Sequence, residues 1–161
     1  MMQAVPTLPY PRGAAPNATL QLRVPAVRQA LEPARLAVLR FLEPWALDAR
    51  SLFNVELVLE ETLINVSLHA FDDPGSHAVT LQVRVEPDTV LLQFEDAGRA
   101  FNPLLTAEPV RPASIADAQV GGLGLMLVRK LSRAVEYQRL EGRNRLTISV
   151  ARGRTGEHTE T

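Results

Sequence analysis

In EETLINVSLHAF, residues 60–71, Glu61, Asn65 and His69 stand four residues apart on an otherwise apolar segment. On a helix of 3.6 residues per turn they form a single row along one face. Filling a core does not need a carboxylate, an amide and an imidazole in that row, although a solvated face gives the same spacing. An ionised glutamate such as Glu61 can orient a hydroxyl or water and take its proton during attack on phosphorus. The amide oxygen of Asn65 is a hard ligand suited to Mg²⁺, an ion normally held together with substrate phosphates. His69 fits a partly buried imidazole with a satisfied hydrogen bond better than a catalytic group. Glu60 lies on a different helix face and reads as surface charge or as a group backing the site.

Two further stretches carry usable chemistry. EDAGRAFNP, residues 95–103, follows a strand-like run and places Asp96 where that strand ends, with Gly98 two residues on. A carboxylate there accepts from an amine on a planar ring, and glycine leaves room for the ring. A strand-ending Asp-x-Gly turn accounts for the same residues. GGLGL, residues 121–125, precedes a helical run. A helix N-terminus presents unpaired N–H groups and a positive dipole end, so the backbone of Gly122 to Leu125 can bind an anion such as a polyphosphate. A plain turn uses the same glycines. No Gly-Lys-Ser/Thr follows, which excludes a Walker A loop, and the irregular segment before it excludes a dinucleotide fingerprint.

Recognisable elements must hold these three stretches. Leu20, Leu22 and Val24 alternate as a short strand. Leu31, Arg35, Leu36, Leu39 and Leu42 recur at helical spacing, with Pro33 in the first turn and Pro44 as the stop. Asp48 is the expected N-cap of a second helix whose buried stripe is Leu52, Val55, Leu59, Leu63 and Val66. Asp72-Asp73-Pro74-Gly75 turns the chain. Val79–Val85 and Val90–Phe94 then alternate as an antiparallel hairpin with one covered face. Residues 102–119 hold three prolines and weak periodicity, a long loop of the kind that is functional or disordered. A third helix starts at GGLGL, and AVEYQRL and RLTISV form a last hairpin joined through Glu141-Gly142-Arg143-Asn144. Helices do not alternate with single strands. The expected fold is therefore α+β, a two-layer sandwich of a mixed, mostly antiparallel sheet with helices on one face. Residues 1–17 read as a flexible Pro-rich arm, 18–151 as the domain and 152–161 as a disordered tail.

Composition narrows the partners. With 161 residues and 46% hydrophobic side chains the chain can bury one domain core. Its 17 basic and 18 acidic residues nearly cancel, which argues against direct nucleic-acid binding. Cysteine is absent, removing disulfides, thiolate catalysis and cysteine-ligated metals. No apolar run reaches the roughly 20 residues of a membrane span, and no secretory pattern opens the chain, so a cytoplasmic protein without a membrane partner is expected.

In order, E-x-x-x-N on a helix, D-x-G-x-x-F-N-P after a strand and G-G-L-G-L before a helix resemble the N, G1 and G2 boxes of the gyrase, Hsp90, histidine-kinase and MutL ATPase superfamily. LEETLINVSLHAF, DAGRAFNP and GGLGLMLVRKLSRAVEYQRLEGRNRLTI are similar to the bacterial anti-sigma-factor serine/threonine kinases, from about Leu20 to Val150. The resemblance implies the Bergerat ATP-binding fold, with ATP and Mg²⁺ as cofactors. Glu61 takes the general-base position and Asn65 the metal position. Asp96 pairs with the adenine amine beside Gly98 and Phe101. Gly122, Leu123, Gly124 and Leu125 hold the phosphates, and Thr147 contacts the adenine side. Residues 102–119 become an ATP lid. The implied partners are a small anti-sigma-factor antagonist phosphorylated on Ser or Thr, a sequestered sigma factor or other regulator, and a second copy in a homodimer. A partner-switching binding protein without phosphotransfer is the alternative. The sequence departs from the histidine kinases at Leu68, close to where they carry a lysine. Residues 1–17 do not read as a phosphoacceptor-histidine domain, so a two-component sensor is not expected, and the Pro-rich arm has no counterpart in the resemblance.

Overall fold

The computed structural model describes residues 18–105 and 122–153. The expectations for the arm at 1–17, for 106–119 of the loop and for the tail from 154 lie outside the described residues. Five strands, β1 (Thr19–Pro25), β2 (Ala78–Val85), β3 (Thr89–Asp96), β4 (Ala134–Leu140) and β5 (Arg143–Ala151), form one sheet in the order β1-β2-β3-β5-β4. Three helices accompany it: α1 (Leu31–Leu42), α2 (Ala49–His69) and α3 (Gly122–Leu131). The α+β expectation holds. The sheet, expected to be mixed, is antiparallel at every pairing. β3 and β4 do run parallel, but β5 is inserted between them, so their connection through α3 leaves no adjacent parallel pair.

Strand alternation decides which face is covered. Leu20, Leu22 and Val24 of β1, Val79 to Val85 of β2, Val90 to Phe94 of β3, and Ile148 and Val150 of β5 supply every second residue to a single core. Helices α1 and α2 and Val128 of α3 close that core from one side. Burying each such aliphatic side chain contributes roughly 1.5–3 kcal/mol. In α2 the expected stripe is buried at Val55, Leu59, Leu63 and Val66, with Leu52 partly covered. In α1, Ala34, Val38, Phe41 and Leu42 are buried, Leu31 packs partly against the core, and Leu36 is 41% exposed.

Local signals end the elements where expected. The Asp48 carboxylate accepts from Ser51 N at 2.7 Å and caps α2. Glu141 and Gly142 both have positive φ, 49° and 75°, which closes the β4–β5 hairpin as a two-residue turn matched to strand twist. Where a loose tail was expected from residue 152, its first two residues are tied down. Gly153 N donates to Ser51 Oγ at 2.8 Å, Asp48 N donates to the Gly153 carbonyl at 3.0 Å, and the Arg152 guanidinium lies 5.1 Å over the Trp45 ring. Asp48→Ala is expected to lower unfolding free energy by about 1 kcal/mol, read from the urea midpoint. An unchanged midpoint would show that the cap contributes nothing.

Among the described residues no helix is long and apolar enough to cross a membrane.

Topology brings the three candidate stretches to one end of the sheet. β3 ends at Asp96, which pairs with Asn144 near the start of β5, and Asn144 pairs in turn with Arg139 near the end of β4. β2 starts at the same end, since Thr80 pairs with Glu95, so the C-terminal half of α2 that leads into it lies there too. A helix following β3 and returning to a parallel β4 has its N-terminus at that end as well.

Candidate functional site

The row on α2 forms the floor of two contiguous cavities. One, of about 390 Å³, is lined by Glu61, Ile64, Asn65, Leu68, His69, Gly124 and Leu125. The other, of about 380 Å³, is lined by Asn65, Val66, His69, Ala70, Asp96, Phe101, Pro103, Tyr137, Asn144 and Leu146. Asn65 and His69 belong to both, so the cavities form one continuous cleft. Among the described residues the side chains of Glu61, Asn65 and His69 make no hydrogen bond. Half-buried polar groups left unpaired at a cleft are available to something placed in it. For His69 this differs from the expected satisfied imidazole.

Glu61 faces the first turn of α3 at close range. A Cβ on Gly124 would lie 2.2 Å from Glu61 Oε2, so glycine lets the helix start pass the carboxylate where it now stands. Burial, and then the neighbouring Glu60 carboxylate, push Glu61 above the ordinary glutamate range. That is the direction suited to a group that must take up a proton near neutral pH.

At the other end, Asp96 is 5% exposed and accepts from Gly98 N at 2.8 Å and from Asn144 Nδ2 at 2.9 Å. The turn after it closes back on α2, where Arg99 N donates to the Ala70 carbonyl at the helix end at 2.9 Å. A Cβ on Gly98 would lie 2.3 Å from that same carbonyl oxygen, so the turn needs glycine for its packing. Pro103–Leu105 forms a short 3₁₀ turn, and its Pro103 carbonyl accepts from Arg129 of α3.

Six of the expected site residues therefore line the cleft: Glu61, Asn65, Asp96, Phe101, Gly124 and Leu125. Gly98 supports Asp96 from below. Gly122 opens α3, while Leu123 is 45% exposed and lines neither cavity. Thr147 is a correction. Leu146 reaches the cleft and Ile148 the core, so strand alternation turns Thr147 to the uncovered sheet face, away from the site. The polar residue that β5 does deliver is Asn144. Its signal was present in the sequence as an amide on the same face as Leu146, Ile148 and Val150. Tyr137 of β4 was missed as well.

The donor set fits a magnesium-bound anionic ligand better than a bare metal. Among the described residues no group of three or more His, Cys, Asp or Glu could hold an ion. One unpaired amide beside a carboxylate and a helix N-terminus suits a cation whose other ligands are phosphates and water.

The chain is similar to known proteins. A family described as the histidine kinase-like ATPase domain matches residues 24–150. The serine/threonine-protein kinase BtrW of Bordetella bronchiseptica is 34% identical over 131 residues, covering 81% of this chain and 91% of that protein. Among solved structures, the RsbU and RsbW domains of a Mycobacterium tuberculosis protein superpose with a TM-score of 0.58 at 15% identity, over 87% of this chain and 34% of that one. The SiaB–SiaC complex of Pseudomonas aeruginosa gives 0.54 at 18% identity, over 82% and 89%. At such identities the solved structures speak for the fold alone. The family match and the kinase relative each span most of the chain, which therefore belongs to the histidine kinase-like ATPase domain family.

Proposed function

We propose that the protein is a MgATP-dependent serine/threonine protein kinase. It phosphorylates a small antagonist protein and, in a cytoplasmic partner-switching circuit, sequesters a sigma factor or comparable regulator. The observation that carries this reading is the convergence of Glu61, Asn65, Asp96 and the start of α3 on one cleft. The similarity to a serine/threonine-protein kinase over most of its length supports the reaction class. The SiaB–SiaC complex, a protein of this fold solved with a second protein, motivates the partner. A homodimer is part of the same proposal.

Each residue has a distinct task. The carboxylate of Asp96 accepts from an exocyclic amine, and Phe101 and Leu146 supply apolar walls around a planar base. Backbone N–H groups at Gly124 and Leu125 face the anionic end. Asn65 would hold the cation through its amide oxygen. MgATP, when bound, supplies a phosphoryl group whose charge is partly neutralised by the metal. Glu61 takes the proton of the incoming Ser or Thr hydroxyl, and its raised pKa makes it a better base than an ordinary glutamate.

Incubation with ATP, Mg²⁺ and the co-purifying antagonist is expected to add one phosphate to that antagonist, seen by intact mass. Normal ATP binding without any mass increase would reject the kinase and leave a nucleotide-responsive binder. Absence of saturable ATP binding would reject both.

A further inference from the structure

Asn144 sits at the far end of the cleft with its amide fully committed. Nδ2 donates to Asp96 Oδ1 at 2.9 Å and to the Arg99 carbonyl at 2.8 Å. Oδ1 accepts from the Tyr137 hydroxyl at 2.7 Å and from Arg139 Nη1 at 2.9 Å, with a longer contact from Phe101 N at 3.4 Å. An amide has two N–H donors and two carbonyl lone pairs, so none is left for a ligand. A guanidinium only donates, and a carbonyl only accepts, so the amide has one permitted orientation. Arg139 Nη1 also donates to the Gly98 carbonyl at 2.8 Å, which ties β4 to the turn beside Asp96.

The consequence falls on Asp96. Its Oδ1 receives both Gly98 N and Asn144 Nδ2. Its Oδ2 has no hydrogen-bond partner among the described residues, and it is not one of the side-chain atoms sealed without a partner. The carboxylate is thus pinned by one oxygen, and the other is the only acceptor it can present to the cleft.

We propose that Asn144 is a positioning residue for base selection, locking Asp96 so that one acceptor oxygen meets the purine 6-position, admitting a 6-amino ring and rejecting a 6-oxo ring. This rests on the nucleotide-binding reading above and adds the residue that enforces the choice. A pinned acceptor cannot retreat from an opposing carbonyl, whereas an unpinned carboxylate can turn aside or admit a water. Rejection by an unpaired buried polar group is the stronger kind of discrimination.

ATP and inosine triphosphate, which differ at the purine 6-position, are the probes, titrated calorimetrically into the full chain. Wild type is expected to prefer ATP by at least about tenfold, and Asn144→Ala to lower that preference about tenfold, mainly through weaker ATP binding. Equal weakening of both nucleotides, with the preference kept, is the signature of a merely structural residue and overturns the proposal. Wild type binding both nucleotides equally overturns it too, while leaving the nucleotide site intact. Wild type binding neither removes the nucleotide reading itself. If Asn144→Ala does not melt cooperatively, Tyr137→Phe decides, since it deletes one donor to Oδ1. A preference reduced by about twofold supports the proposal, and an unchanged preference overturns it.

Discussion

Glu61→Gln is expected to reduce phosphoryl transfer by about 10²–10⁴-fold, the usual contribution of a positioned general base, while ATP affinity stays within about twofold. Glutamine keeps the shape and the contact with α3 but cannot accept the proton. The same substitution is not expected to destabilise the fold. Burial and the neighbouring Glu60 raise the Glu61 pKa, so the folded protein favours the protonated form more than the unfolded chain does. That preference stabilises the fold fully below the unfolded value of about 4.3 and is lost as pH rises through the folded value. At neutral pH the ionised carboxylate therefore costs stability, and Glu61→Gln removes the cost. Its melting temperature should equal or exceed wild type near pH 7–8, with the advantage fading toward about pH 4. The acid limb of the rate profile should lie above about 4.3. Transfer that persists in Glu61→Gln, or an acid limb at or below that value, would remove Glu61 from the proton step.

Two glycine substitutions are expected to separate support of the base pocket from alignment of the carboxylate. At Gly98 an added Cβ meets the Ala70 carbonyl oxygen at 2.3 Å and Asp96 Oδ1 at 2.8 Å. The first obstacle is backbone at the end of α2, so the turn must move. Gly98→Ala should then cost about 1–3 kcal/mol of stability and at least about tenfold in ATP affinity, as Asp96 loses its Gly98 N–H bond. At Gly124 the obstacle is Glu61 Oε2, the free end of a flexible side chain, which can swing aside cheaply. Alanine also suits a helix better than glycine, by up to ~1 kcal/mol. Gly124→Ala should melt at or above the wild-type temperature yet transfer at least about tenfold more slowly, because the carboxylate is displaced. Melting curves and single-turnover rates on both variants check the contrast. Wild-type transfer by Gly124→Ala would mean that Glu61 does not work from its place against α3.

Much of this architecture was legible before any coordinates. Alternation along β1, β2 and β3, the Asp48 cap and the Glu141-Gly142 turn are local properties, set by neighbours a few residues away. The polar row on α2 was equally readable, because helical period alone puts Glu61, Asn65 and His69 on one face. On α1 the helical spacing was readable, but not which side would be covered: Leu42 is buried while Leu36 is 41% exposed. Ala34 and Val38, both fully buried, lie on the covered side, a choice made by the sheet and α2 packed against the helix.

What the linear chain determined is the set of elements and the residue types capable of proton transfer, amine recognition and anion binding. What tertiary structure alone decided is which of them meet. The insertion of β5 between β3 and β4 brings Asn144 against Asp96 across 48 residues of chain and turns Thr147 to the opposite face. Strand periodicity says only that neighbouring residues face opposite ways. Which face becomes the cleft depends on the helices packed over the sheet, an interaction between segments far apart in the chain.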